Sequence, residues 1–389
     1  MIIGIDAGAL SITDKRLQVG VWRVTLELLK ELSYIDKNNL YRLYSFRPID
    51  RKIMSLFGKN MTNVVLSPFI GYMKVRLPME LAVHPVDVFL GVSQALPRTI
   101  YSRSTSWRRG IFNSVNICTC MHRKIRMIGF IYDLAFLHMG EHYGSSWIRL
   151  REQTKAVIQR ADHIITISEF TKNDIISFQE KSISVCYPGI TIKKNIAGVK
   201  NKHPYILFVG SLKPVKNIPA LIQGFHQFMH QSKTEHDLIL IGGDYWNDPQ
   251  IQQTINDLHV GNRVKVVGFM SEEKKAGYYK GADAFITLGK WEGFCLPAVE
   301  AMAYGLPIIY ADSGALPEVI GNAGIGLDPS DAQEVAEALI KVITDHTSRK
   351  KILINGKRNL HRYSWKLFAE KVLHIIDSTY DNCHHSYKK

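Results

Sequence analysis

The feature that most constrains the fold is a repeated pattern. Short apolar runs of strand length alternate with stretches of helical periodicity, and the pattern begins afresh halfway along the chain. The first half carries IIGID, LYRLYSF, NVVLSP, DVFLGV, IGFIYD, HIITIS and ISVCYPG; the second carries YILFVGS, DLILIGGD, VKVVGF, AFITLG, PIIYAD and GIGLDP. Runs of this kind with helices between them build parallel sheets covered on both faces, so the expected class is α/β with two doubly wound, Rossmann-like domains. A chain of 389 residues also exceeds what one hydrophobic core serves. The polar segment 190–205 reads as the linker. The expected division is 1–195 for the first domain, 203–365 for the second, and 366–389 for a C-terminal helix returning to the first.

Ligands in open α/β sheets bind beyond the carboxyl ends of the strands, so two facing domains make a cleft lined by both sets of strand-end loops. Four such loops are EGFC after AFITLG, SLKPVKN after YILFVG, YDLAF after IGFI and GALSITDKRLQVG after IIGID. The stretch KWEGFCLPAVEAMAYG, 290–305, shows what one can do. Pro297 suits the first position of a helix that runs on to stop at Gly305, leaving EGFC as the loop before it. Free N–H groups at that helix start favour an anion, and Gly293 lets a ligand approach the backbone. Glu292 in the loop and Glu300 in the helix add acceptors for hydroxyls. A nucleotide-sugar carries both kinds of group. Taken alone, the two acids fit equally a solvated loop and a helix-dipole partner.

Net charge is +14, and it is unevenly placed: residues 1–200 hold 28 Lys and Arg against 15 Asp and Glu, whereas 201–389 hold 21 against 20. No acid occurs between Asp87 and Asp133, while Arg98, Arg103, Arg108, Arg109, Arg123, Lys124 and Arg126 interleave with Tyr101, Trp107 and Phe112. Such a field suits nucleic acid, an anionic membrane or a phosphorylated substrate, and no nucleic-acid module accompanies it. The apolar runs are too short to span a bilayer, and the first residues lack the features of a signal peptide. Five scattered cysteines fit a reducing compartment, and Cys118, Cys120 and His122 lack a second ligand pair for a metal. The expectation is a cytoplasmic protein that associates peripherally with the inner face of the cell membrane. IDAGAL lacks G-x-G-x-x-G after the first strand, which argues against a dinucleotide oxidoreductase.

Several motifs in order resemble glycosyltransferase family 4, retaining enzymes of the GT-B fold: FVGSLKPVKN, WEGFCLPAVEAMAYGLPI, SGALPEVIGNAGIGLDPSD and the SW pair at 364–365 in the second half. In the first half GVWRVTLELLKEL, DVFLGVSQALP, IYDLAFL and ADHIITISEFTKNDI are similar too. The resemblance spans nearly the whole chain. It implies a nucleotide-diphospho-sugar donor, with GDP-mannose favoured, and an acceptor that is a saccharide or polyprenyl-diphosphate-linked saccharide. An anionic membrane surface is the expected partner, with no nucleic acid, no cofactor and no metal. Lys216 would meet the diphosphate, helped by Lys213 and the Gly210 and Ser211 turn. Gly293, Phe294, Cys295 and Leu296 would offer backbone groups. Glu292 would bind sugar hydroxyls near the anomeric centre and Glu300 the ribose. Asp133, Tyr132 and Gly20 fall on the acceptor side.

This chain departs from the family's pattern at Val215, where Arg is frequent, at Cys295, where Gly is usual, at Tyr132, where His is common, and at Trp22. Arg23 reads as a solvated charge. Glu318 fits either a donor contact or a hydrogen-bond partner behind the site. A catalytically weakened GT-B binding module and a GT-B-fold sugar-nucleotide epimerase are the alternatives.

Overall fold

The computed structural model describes residues 1–18, 20–67, 70–97, 125–140, 143–144, 146–232, 234–243 and 248–385. The basic and aromatic positions from Arg98 to Lys124, together with Cys118, Cys120 and His122, lie outside the described residues, as does the Cys383 side chain.

Two all-parallel sheets account for the apolar runs. The first holds seven strands: β1 (Ile2–Asp6), β2 (Leu40–Ser45), β3 (Met61–Val65), β4 (Val88–Gly91), β5 (Arg126–Ile131), β6 (His163–Thr166) and β7 (Ile183–Val185). Their order is β3-β2-β1-β4-β5-β6-β7. The second holds six, β8 (Tyr205–Val209), β9 (Asp237–Ile241), β10 (Val264–Gly268), β11 (Ala284–Thr287), β12 (Ile308–Ala311) and β13 (Gly324–Leu327), in the order β10-β9-β8-β11-β12-β13. The central strands are buried along their whole length, as in YILFV and AFIT, because helices cover both faces. The strand order reverses between β1 and β4 in one sheet and between β8 and β11 in the other, and crevices open at such switch points.

The first sheet ends at Val185 and the second begins at Tyr205, with no strand or helix between them. The chain returns through the helix Trp365–His385, which packs on the helix Gly20–Ile35 and on β4 and β5. Its Phe368 ring meets Phe130 of β5 at 6.2 Å and is buried, a contact of the kind that contributes about 1.5–3 kcal/mol per side chain. The returning chain crosses the outgoing one at Gly189, where a Cβ would lie 2.0 Å from the Trp365 nitrogen. Glycine is needed there for close approach. Beside it the Trp365 indole donates to Thr191 Oγ1 at 3.1 Å.

Candidate active site

Three strand-end loops converge. After β8 the chain turns at Gly210, and a Cβ at Gly242 would lie 1.7 Å from the Gly210 carbonyl oxygen, so the backbone of Gly210 and Ser211 is pressed against its neighbour. A single 3-10 turn, Pro214–Lys216, follows and closes on Asn217, whose φ of 55° is left-handed. The second loop, after β11, is tied to it by Lys290 N–H donating to the Val215 carbonyl at 2.9 Å. Lys216 therefore lies over Glu292 and donates to its Oε1. Both side chains are largely buried, at 19% and 9% exposure. Burial works against the Lys216 charge, but Glu292, Cys295 and Asp133 together outweigh it and hold the ammonium above its ordinary range.

The third loop comes from the other sheet. A Cβ at Gly293 would sit 2.2 Å from the Tyr132 carbonyl oxygen and 2.8 Å from Asp133 Cβ. Gly293 is thus what allows the ends of β5 and β11 to touch. Asp133 is brought into the field of Lys216, Lys213 and Glu292. Burial pushes its carboxyl up, partly offset by the Ala135 N–H, which donates to Oδ1 at 3.0 Å, and by Lys216. Lys213 is pushed down by burial and by Lys216 beside it.

The helix expected from Pro297 to Gly305 runs Leu296–Ala303, and Gly305 follows it with a φ of 77°. Cys295 stands at its N-cap with a φ of 75°, the left-handed region. That conformation explains why glycine suits the position, and it replaces crowding of a ligand as the main consequence of a side chain there. Burial pushes the Cys295 thiol up to about 12, so it enters the site as a neutral group. The Phe294 ring packs edge-on against Tyr363 at 5.4 Å and serves the core.

Glu300 lies one turn into this helix at 4% exposure. Its Oε1 accepts from Arg23 Nη1 at 2.5 Å, and Lys275 Nζ stands 3.3 Å from Oε2, which accepts no hydrogen bond among the described residues. Arg23 belongs to the opposite half. It also reaches Glu272 at 3.3 Å and the Thr191 carbonyl at 3.0 Å. The reading of Arg23 as a solvated charge is corrected: a buried carboxylate 277 residues away holds it. Gly20 begins the same helix, and a Cβ there would meet nothing within 4 Å, so packing does not demand glycine.

Tyr132 takes a different part from the acceptor contact expected. Its hydroxyl turns inward and donates to the Val92 carbonyl at 2.8 Å, while its own carbonyl accepts from Thr171 Oγ1 at 3.3 Å. Glu318 is likewise resolved as a bridge: it accepts from Glu169 N–H at 2.7 Å, Phe170 N–H at 2.9 Å and the Tyr187 hydroxyl at 2.8 Å. It caps the helix Glu169–Phe178 of the first half from the second.

Sequence reasoning missed a further pair. The His138 ring stacks on Trp291 at 4.0 Å and its Nε2 lies 2.8 Å from Asp174 Oδ1. Trp291 immediately precedes Glu292, so this stack abuts the site from the first half. ADHIITISEFTKNDI contains Asp174, but nothing in one-dimensional spacing links it to His138. Among the described residues no group of three or more His, Cys, Asp or Glu is gathered as a metal ligand set.

Residues 189–359 match the family model described as Glycosyl transferases group 1. This stretch is a group 1 glycosyltransferase domain. The O-antigen chain mannosyltransferase B of Escherichia coli is 24% identical over 265 residues, covering 63% of this chain and 68% of that protein. Across the first five curated relatives the alignments span 57% to 70% of the relative's length. The sucrose-phosphate synthase structure from Thermosynechococcus elongatus superposes with a TM-score of 0.73 at 18% identity, over 98% of this chain and 99% of that one. Anabaena Alr3699/HepE in complex with UDP and glucose superposes at 0.68 and 17% identity, over 97% and 99%. The two facing sheets have the GT-B fold, and the group 1 match lies on the stretch that holds the second sheet.

Proposed function

We propose that this glycosyltransferase moves a hexose, mannose before glucose or galactose, from a nucleotide-diphospho-sugar to a saccharide or polyprenyl-diphosphate-linked saccharide, with retention at the anomeric centre. The observation that carries the reading is the buried cluster of Lys216, Glu292 and Asp133, assembled from both halves where three strand ends meet. Lys216 supplies positive charge to the departing diphosphate, aided by Lys213 and the backbone at the start of the 296–303 helix. Glu292, held by Lys216, accepts from sugar hydroxyls near the bond that breaks. Glu300, whose Oε2 makes no hydrogen bond among the described residues, would accept from a ribose hydroxyl. Asp133 stands on the other side of Gly293, facing the acceptor. Mannose is favoured because the E. coli relative is named for it.

These groups already offset the donor's charge, so transfer should proceed without a bound metal. The acid-free basic run 98–124 of the sequence would face an anionic membrane, where a lipid-linked acceptor is presented. Screening GDP-, UDP- and ADP-sugars by thermal shift tests the donor, since a ligand at 100 times its dissociation constant stabilises by about 2.7 kcal/mol. NMR of the product with the best donor then reads the anomeric configuration. An inverted product would overturn retention, and donor turnover without any glycosylated acceptor would favour an epimerase.

A further inference from the structure

The near-neutral balance of the second half conceals a segregation. Residues 346–369 contain seven Lys and Arg and no acid, leaving the rest of 201–389 with fourteen against twenty, a net of −6. Most of that basic segment is one helix, His346–Asn359. Its inner face is firmly seated: Ile352 is buried, Arg349 donates to the Asp283 carbonyl at 2.8 Å, Asn355 to Asn322 at 2.9 Å and Asn359 to Val319 at 2.7 Å. The outer face presents Lys350, Lys351, Ile354, Lys357 and Arg358, all exposed and spaced by three or four residues along one stripe.

Two features separate this stripe from an ordinary solvated surface. Some cations elsewhere are paired, as half-buried Lys30 is with Glu27 and Lys172 with Glu169, and exposed Lys193 with Glu273. The side chains of Lys350, Lys351, Lys357 and Arg358 make no ion pair or hydrogen bond among the described residues. In their midst Ile354 is 45% exposed, beside an open cavity of about 370 Å³ lined by His346, Arg349, Lys350, Leu353, Ile354 and Lys357.

We propose that this helix face is a docking surface for an anionic phospholipid bilayer, with Ile354 entering the headgroup boundary and the four cations meeting lipid phosphates. Charge complementarity selects an anionic partner, and the apolar centre selects a bilayer over a nucleic acid, whose phosphates gain nothing from an isoleucine. The surface shares no residue with the basic run 98–124 of the sequence or with the residues placed in the transfer site. It deepens the reading of a lipid-presented acceptor, but its failure leaves the transfer chemistry standing.

The test is co-sedimentation of the full chain with phosphatidylglycerol-containing vesicles and with phosphatidylcholine vesicles alone. Wild type should partition onto the anionic vesicles only. The variant K350S/K351S/K357S/R358S should lose at least about tenfold in partition, given roughly 1 kcal/mol per cation near the surface. I354S should lose severalfold with the charges intact. Turnover on a water-soluble acceptor should be unchanged in both, which separates docking from catalysis and reports that they fold. Wild-type partition retained by the fourfold variant, or equal capture by the neutral vesicles, would each overturn the proposal.

Discussion

Cys295 holds a left-handed φ of 75° at the N-cap of the helix that points into the site. For a residue with a Cβ this conformation costs about 1–2 kcal/mol, and glycine adopts it freely. Cys295→Gly should therefore raise the melting temperature by a few degrees while keeping donor turnover, because the thiol is neutral and contributes no charge. A lowered melting temperature would mean that packing of the sulfur outweighs the strain. Asp133 is a second strained group, here electrostatically. Burial raises its folded-state pKa above the ordinary carboxylate value, so the native state is penalised once the unfolded carboxyl ionises. Asp133→Asn should gain stability over wild type as pH rises from about 4, the ordinary carboxylate range, and show no gain below it. Thermal unfolding across that range reads the difference directly, and a gain present at low pH would point to shape instead of charge. The two glutamates divide by where they touch: Glu292→Gln should lower turnover, and Glu300→Gln should weaken binding of the free nucleotide. Calorimetric titration of nucleotide into Glu300→Gln showing wild-type affinity would remove Glu300 from the ribose.

The strands and the helix opening at Leu296 were legible because their signals are local. AFITLG and YILFVG are short, apolar and rich in β-formers, and Pro297 with Gly305 brackets a helix by backbone chemistry alone. Even the left-handed turn at Cys295 left a trace, since glycine is the usual residue there. Glu318 left none. Its SGALPEV context places it on a helix, yet its three hydrogen bonds reach residues 131 to 149 positions away, a relation set by how two sheets face each other. The same holds for His138 against Trp291. The capping role of Glu318 makes its own prediction. Glu318→Ala leaves the first amides of the helix Glu169–Phe178 without acceptors, which should cost about 1 kcal/mol locally. Hydrogen exchange at the amides of Glu169 and Phe170 should accelerate about fivefold, while exchange in β5 stays unchanged; acceleration throughout the first sheet would instead mean that the bridge holds the halves together.

Among the described residues the most buried ion pair between the halves joins Arg23 to Glu300, with side-chain exposures of 18% and 5%. Taking two charges out of water is costly, and removing one partner leaves the other uncompensated. Lys275 lies 3.3 Å from the Glu300 carboxylate and would compensate only in part. Arg23→Gln should therefore loosen the contact between the helix Gly20–Ile35 and the helix Leu296–Ala303, letting the cleft open. Small-angle scattering should show a larger radius of gyration for Arg23→Gln than for wild type. Arg23→Lys should fall between the two, since one ammonium cannot serve Glu300, Glu272 and the Thr191 carbonyl together as the guanidinium does. Because the same carboxylate is the proposed ribose site, saturating nucleotide should compact wild type more than Arg23→Gln. Identical scattering from all three proteins, with and without nucleotide, would show that the pair does not govern how the halves close.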